Sequence, residues 1–233
     1  MATKGKTLAA LGIRVESSSV HRLRGGALVW LRVVPADADL GGTRAAAALR
    51  LGDATSDRLR IENRTRGDVL LAPGLVLGDG RGARVVDAVA IASAGAELEI
   101  AVRPAPRRSR VLEVVRAIGA QAPPRCNGVA IVRPGSPTHV EVYGAPDYLD
   151  ALAPAWISEL VAGPRTRASW RAPGEELDAA LDALRSALLS PGRHDDALAC
   201  ADAALRARVL LRRGRLAHLV ASIGDHGDTV VTR

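Results

Sequence analysis

The run Arg58-Leu-Arg-Ile-Glu-Asn-Arg64 restricts the fold more than any other part of the chain. Leu59 and Ile61 alternate with Arg60 and Glu62, the period-two pattern of a strand with one face in a core and one in water. Asn63-Arg-Thr-Arg-Gly67 then supplies a turn, Val69 to Leu71 a returning strand, and Pro73-Gly74 a break. Val85 to Ile91 reads as a further strand, and Ala94-Gly95 turns into Leu98 to Val102. Connections this short join neighbouring antiparallel strands rather than parallel ones.

The same reading extends to both sides. Residues 1–11 are expected to be a loose leader. Ile13 to Val20 and Ala27 to Val34 form strands around the turn Arg24-Gly25-Gly26. Thr43 caps an Ala-rich helix over Arg44 to Leu51, which Gly52 ends. These elements make an antiparallel β unit over residues 12–103. Arg103-Pro-Ala-Pro-Arg-Arg-Ser-Arg110 breaks the texture, being basic, Pro-rich and aperiodic, and opens a second unit over 104–233 that can share a core with the first.

In that second unit, Val111, Val114, Val115 and Ile118 share a helix face. Val129 to Val132 and His139 to Tyr143 form a hairpin around Arg133-Pro-Gly-Ser-Pro137. Pro146 opens a helix to about Ala162, divided at Pro154. Leu177, Leu181, Leu184 and Leu188 predict a helix over Glu175 to Leu189. Leu205 to Ile223 is rich enough in Ala and Leu for a helix, but Arg212-Arg213-Gly214 favours a hairpin. A hairpin-and-helix unit over 128–162 and the hairpin over 204–223 have the layout of a weak internal repeat. The fold class is α+β: an antiparallel β-rich N-terminal unit, then β-hairpins with packed helices.

Composition excludes several classes of protein. The apolar residues are almost all Ala, Val, Leu and Ile, with no Phe, three Trp and two Tyr, so the core is built from small branched side chains. Net charge is +7, yet the only lysines are Lys4 and Lys6. An Arg-, Ala- and Gly-rich alphabet of this kind raises the charge without needing a nucleic-acid partner. Cys126 and Cys200 have no CxxC spacing, and His21, His139, His194, His218 and His226 have no metal-ligand spacing, so neither a metal nor a cofactor is expected. No stretch resembles a signal peptide, and none approaches the ~20 apolar residues of a membrane span. A cytoplasmic protein with no membrane partner is the expectation.

The sharpest candidate site is the loop carrying Gly74, Gly78, Gly80, Arg81, Gly82 and Arg84. Backbone amides of a Gly-rich turn can cradle an anion, and two guanidinium groups can clamp a phosphate or carboxylate. A P-loop's lysine and hydroxyl are missing, and the surroundings are β rather than strand-loop-helix. Glycines in such a connection also serve turn geometry alone. The arginine runs over 103–110 and 206–215 can meet phosphates, but the chain has few aromatics on which bases could stack. Ser17 to Ser19 has no nucleophile-elbow context.

Taken in order, three blocks resemble one bacterial family. The first is Leu59-Arg-Ile-Glu-Asn-Arg64 with Val69 to Leu71, Gly74, Leu77, Gly80, Arg84 and Val89 to Gly95; the second is Asn127 to Ile131, His139 to Tyr143, Pro146 and Pro154; the third is Arg206 to Ser222. The family is named for its association with ADP-ribosylglycohydrolases and rhodanese/phosphatase-superfamily proteins, and its domain is of unknown function. The resemblance implies nucleotide, ADP-ribose or defence-related surroundings. Departures from its pattern remove reactive groups: Leu75 and Val76 stand where acidic residues follow the glycine, Arg81-Gly-Ala-Arg84 lacks two amides, and Arg103-Pro-Ala-Pro106 replaces a Cys and a Glu. General acid–base and nucleophilic chemistry would use those groups.

The expectation is therefore a diverged, non-catalytic binding or assembly protein with no catalytic residues. Its partner is another protein, and self-association into a homo-oligomer is left open. One alternative is an enzyme or sensor that binds a phosphorylated small molecule, a nucleotide or ADP-ribose, at loop 74–84. A second is a nonspecific nucleic-acid binder.

Overall fold

The computed structural model describes residues 5–23, 26–37, 39–78, 82–105, 123, 125–133, 135–145, 147–149, 173–191, 197–202 and 204–224. In chain order the strands are β1 Arg14–Leu23, β2 Gly26–Val34, β3 Arg50–Ala54, β4 Arg58–Glu62, β5 Val69–Leu71, β6 Val76–Leu77, β7 Arg84–Val86, β8 Ala90–Ala92 and β9 Glu97–Pro104. They continue as β10 Gly128–Val132, β11 Thr138–Tyr143, β12 Ser190–Pro191, β13 Ala197–Ala201, β14 Leu205–Arg212 and β15 Arg215–Ile223. Helices α1, Thr43–Ala46, and α2, Pro173–Ser186, accompany them. The described chain is thus strand-rich, with antiparallel sheets and few helices.

Contacts divide the chain into two units, and the division is not the expected one at residue 103. One unit joins residues 1–36, 123–143 and 159–233; the other holds 37–122 and 144–158. The β1–β2 hairpin belongs with the later hairpins because β2 pairs with β10, Leu31 opposite Gly128 and Ala27 opposite Val132. β10 is apolar throughout and β2 is apolar but for the exposed Arg32, which suits the buried middle of a sheet better than its edge.

The first unit is an eight-stranded sheet in the order β1-β2-β10-β11-β15-β14-β13-β12. One face carries Val29, Leu31 and Val33, then Ala130, Val132, Val140, Val142, Leu219 and Ala221. Leu177, Leu181 and Leu184 of α2 join this cluster, as their four- and three-residue spacing requires. Leu188, the fourth leucine of that series, lies beyond the helix and is exposed, while Leu189 is buried. Leu189 exchanges backbone hydrogen bonds with Lys6 (2.8 and 2.9 Å). The leader expectation therefore fails for residues 5–11: Lys6 is tied to Leu189, Leu8 is in the core, and Ala9–Leu11 form a 3-10 turn. Burial of Leu8 anchors that segment, a signal that a lone leucine in a polar run does not announce.

The 204–223 segment is a hairpin. Arg213 and Gly214 both have positive φ, 51° and 74°, giving a two-residue type I′ turn whose twist matches the flanking strands. The strands of the expected repeat unit, β10 and β11, are also a hairpin, and β11 pairs with β15.

The second unit contains a five-stranded sheet, β3-β4-β9-β7-β6, and a two-stranded one, β5-β8. Two expectations are corrected here. The helix over 44–51 stops after Ala46, because Arg50 and Leu51 pair with Glu62 and Ile61 of β4. Ladder bonds outweigh the helix propensity of a short Ala-rich run. The single strand over 85–91 is two strands: β7 pairs with β9, whereas β8 pairs with β5. Pro104 ends β9, so the break in texture begins inside a strand. The expected helices over 111–118 and 146–162 lie outside the described residues, except that 147–149 are helical.

Candidate functional site

Gly74, Gly78, Gly82 and Arg84 lie on the stretch running from the β5–β6 turn to β7. Gly80 and Arg81 lie outside the described residues. Ala72-Pro-Gly-Leu75 is a tight turn in which the Leu75 amide donates to the Ala72 carbonyl (3.1 Å). Gly74 takes the positive φ of 89° that a type II turn needs after proline. Its own amide donates to the Val86 carbonyl (2.8 Å), so it is used within the fold rather than turned toward an anion. Gly78 has φ 76°, while Gly82 stands in open space. Arg84 folds back on its loop, with Nη1 donating to the carbonyls of Gly82 (3.2 Å) and Ala83 (3.3 Å). Its Nε is buried and has no hydrogen-bond partner among the described residues. The structure thus brings Arg84 to Gly82 and gives Gly74 and Gly78 turn geometry.

A second constellation is absent from that expectation. On β11, His139, Glu141 and Tyr143 alternate onto one face, and His218 of β15 lies directly across from Tyr143. Glu141 and His218 are 4% and 2% exposed. The Glu141 carboxylate lies 2.8 Å from Nε2 of His218 and 3.6 Å from Nε2 of His139. The Tyr143 and His218 rings are tilted against each other at 5.4 Å. Burial by itself would raise the Glu141 carboxyl, but the hydrogen bonding and positive potential of the two imidazoles outweigh it and hold the group below the usual carboxylate range. The readable signal was the imidazole inside the apolar run Leu216-Ala-His-Leu-Val220, whereas Glu141 between Val140 and Val142 fits the alternation of a half-exposed strand and gave none.

Buried amides do structural work of the same kind. Asn127 accepts from the Val33 amide (2.8 Å) through Oδ1 and donates through Nδ2 to the carbonyls of Val33 and Tyr143 (both 3.1 Å). Asn63 donates to the carbonyls of Ala92 (2.7 Å) and Gly67 (2.9 Å), closing the turn that follows β4. Tyr148 donates its hydroxyl to the Leu70 carbonyl, and burial, with the Asp147 carboxylate beside it, pushes its phenol upward. Asp147 in turn accepts from Thr43 Oγ1 (2.9 Å) and the Arg44 amide (3.2 Å), fixing the first turn of α1.

A groove of about 910 Å3 opens between α2 and the ends of β14 and β15. Ala180, Ala183, Leu205 and Ile223 give it an apolar floor, and Arg133, Glu176 and Asp202 put both charge signs on its margins. Cys200 also lines it; burial and the Asp202 carboxylate raise its thiol, the opposite of what a nucleophile needs. Among the described residues no group of three or more His, Cys, Asp or Glu is arranged to hold a metal ion. No described helix is long and apolar enough to cross a membrane.

The fold and these sites define a class, a strand-rich antiparallel protein in which the buried side chains of Glu141, His218, Asn63 and Asn127 are hydrogen-bonded within the fold. Set against known proteins, the chain matches no family model, no curated protein and no solved structure.

Proposed function

We propose that this chain is a non-catalytic binding or assembly protein that recruits a partner protein. The observation that carries the reading is Glu141. A general acid needs its pKa raised toward the working pH, whereas this carboxyl is held low and closed in by two imidazoles, the arrangement of a structural pair. The raised thiol of Cys200 points the same way. Descent from the bacterial family associated with ADP-ribosylglycohydrolases and a cytoplasmic setting belong to the same proposal, and self-association stays open within it.

One observation favours a second reading. The buried Nε of Arg84 lacks an acceptor among the described residues, and a phosphorylated small molecule at loop 74–84 would supply one. A thermal-shift screen against nucleotides, ADP-ribose, NAD and inorganic phosphate separates the two. A ligand at ~100 times its dissociation constant stabilises the fold by ~2.7 kcal/mol, which raises the melting temperature by ~2–4 °C at this size. The binding-protein reading expects no shift. A shift that disappears in Arg84→Ala replaces it with the ligand-site reading.

A further inference from the structure

The arginines of the five-stranded sheet differ from two arginines on β14. In the five-stranded sheet they are matched by carboxylates: Arg58 with Glu99 (3.7 Å), Arg60 with Glu97, Arg50 with Glu62 (3.7 Å) and Arg103 with Asp87 (2.9 Å). Over residues 197–224 there are five arginines and one carboxylate, Asp202, and of these arginines Arg212 and Arg215 are engaged with partners. Two of them, Arg206 and Arg208, point from the exposed side of β14 and form no ion pair or side-chain hydrogen bond among the described residues.

Edge protection does not explain them. Charges are placed on edge strands to block stray pairing, but β14 is paired on both sides, to β13 and to β15. Nor do they stabilise the sheet, since cross-strand gains come from opposite charges or packed pairs. Their neighbours across the ladders are small instead: Ala201 and Ser222 flank Arg206, and Ala199 and Val220 flank Arg208. The result is a cationic ridge with a shallow trough along each side.

We propose that this ridge docks an acidic, extended segment of a partner protein, a deepening that rests on the binding-protein reading. Alternate residues of an extended chain recur about every 7 Å, so carboxylates two positions apart meet Arg206 and Arg208 in turn. The small flanking side chains admit the peptide backbone. A nucleic acid fits less well. The described aromatics, Trp30, Tyr143 and Tyr148, are all buried and offer bases no stacking platform. A duplex complex also commonly engages on the order of six to ten phosphates.

The test is fluorescence anisotropy with three labelled probes: a Ser-Glu alternating peptide, a matched Ser-Lys peptide and a short DNA duplex. The wild-type chain should bind the Ser-Glu peptide, release it as salt rises from ~0.05 to ~0.5 M, and ignore the Ser-Lys peptide. The double variant Arg206→Glu/Arg208→Glu should bind it roughly tenfold or more weakly, and Arg206→Gln/Arg208→Gln should fall between. Arg66→Glu, an exposed change in the other unit, should leave binding unaltered. Equal binding by wild type and both double variants, or no binding of the Ser-Glu peptide, overturns the proposal. Tighter, Arg206- and Arg208-dependent binding of the duplex reassigns the ridge to nucleic acid. Failure here with a silent thermal-shift screen removes this surface alone, whereas a ligand shift lost in Arg84→Ala removes the binding-protein reading itself.

Discussion

Glu141 shows how one side chain ties sequence to stability. Its carboxyl has a lower pKa folded than unfolded, because the imidazoles of His218 and His139 outweigh the cost of burial. A depressed carboxyl contributes stability that is present above its unfolded value, ~4.3, and is lost as pH falls through the lower folded value. Glu141→Gln keeps an acceptor for His218 but loses the charge and its titration. At neutral pH the variant should be less stable by ~1–3 kcal/mol. Urea unfolding measured from pH 7 downward should show that gap narrowing below about pH 4. A gap that widens on acidification would mean that the folded pKa is raised and the pair is not what holds Glu141 ionised. The identity of this pair was readable only as an anomaly. Sequence shows His218 inside an apolar run, but Glu141 sits in ordinary half-exposed alternation, and which imidazole meets which carboxylate depends on the β11–β15 register, Tyr143 opposite His218. No local pattern contains that register.

At the scale of elements, periodicity was legible wherever a segment's own neighbours decide its structure. Leu59 and Ile61 face the core of their unit while Arg58 and Arg60 face water, and the Arg213-Gly214 turn makes the hairpin that its strand-like flanks implied. The misreadings fall where distant partners decide. Ala-rich residues 44–51 have helix propensity, but β4 recruits Arg50 and Leu51 into a ladder. Leu188 fits the leucine spacing of α2, yet the helix ends first and Leu189 takes the buried place. The Gly74–Arg84 loop was visible as a glycine cluster, and turn geometry accounts for Gly74 and Gly78. Gly128 is another position at which close approach is decisive. A Cβ there would stand 2.7 Å from Cγ2 of Val142 and 3.0 Å from the Glu141 carbonyl, on the strand that carries the buried carboxylate. Gly128→Ala should therefore cost ~1–3 kcal/mol by forcing β10 from β11. A chemical-denaturation midpoint unchanged from wild type would show that this part of the sheet shifts freely.

Across the whole molecule, chain order and spatial order diverge. The strand β2 finds its partner β10 only on the far side of residues 37–122, most of which build a different unit. Asn127 reinforces the junction, binding both backbone groups of Val33 and the Tyr143 carbonyl. By contrast, β14 and β15 are joined through two residues and lose little loop entropy on pairing. Closure of long loops must precede the contacts that reward it, so refolding should take milliseconds to seconds or longer. A chain beyond about 150 residues is also expected to populate partly folded species on the way. Pulsed hydrogen exchange during refolding resolves the order. Amides of β14 and β15 should gain protection first, and those of β2 and β10 later, in the phase that completes the sheet over α2. If the β2–β10 amides were protected as early as the terminal hairpin, the long connection would not limit assembly. The central strands would then have to meet before the chain between them folds.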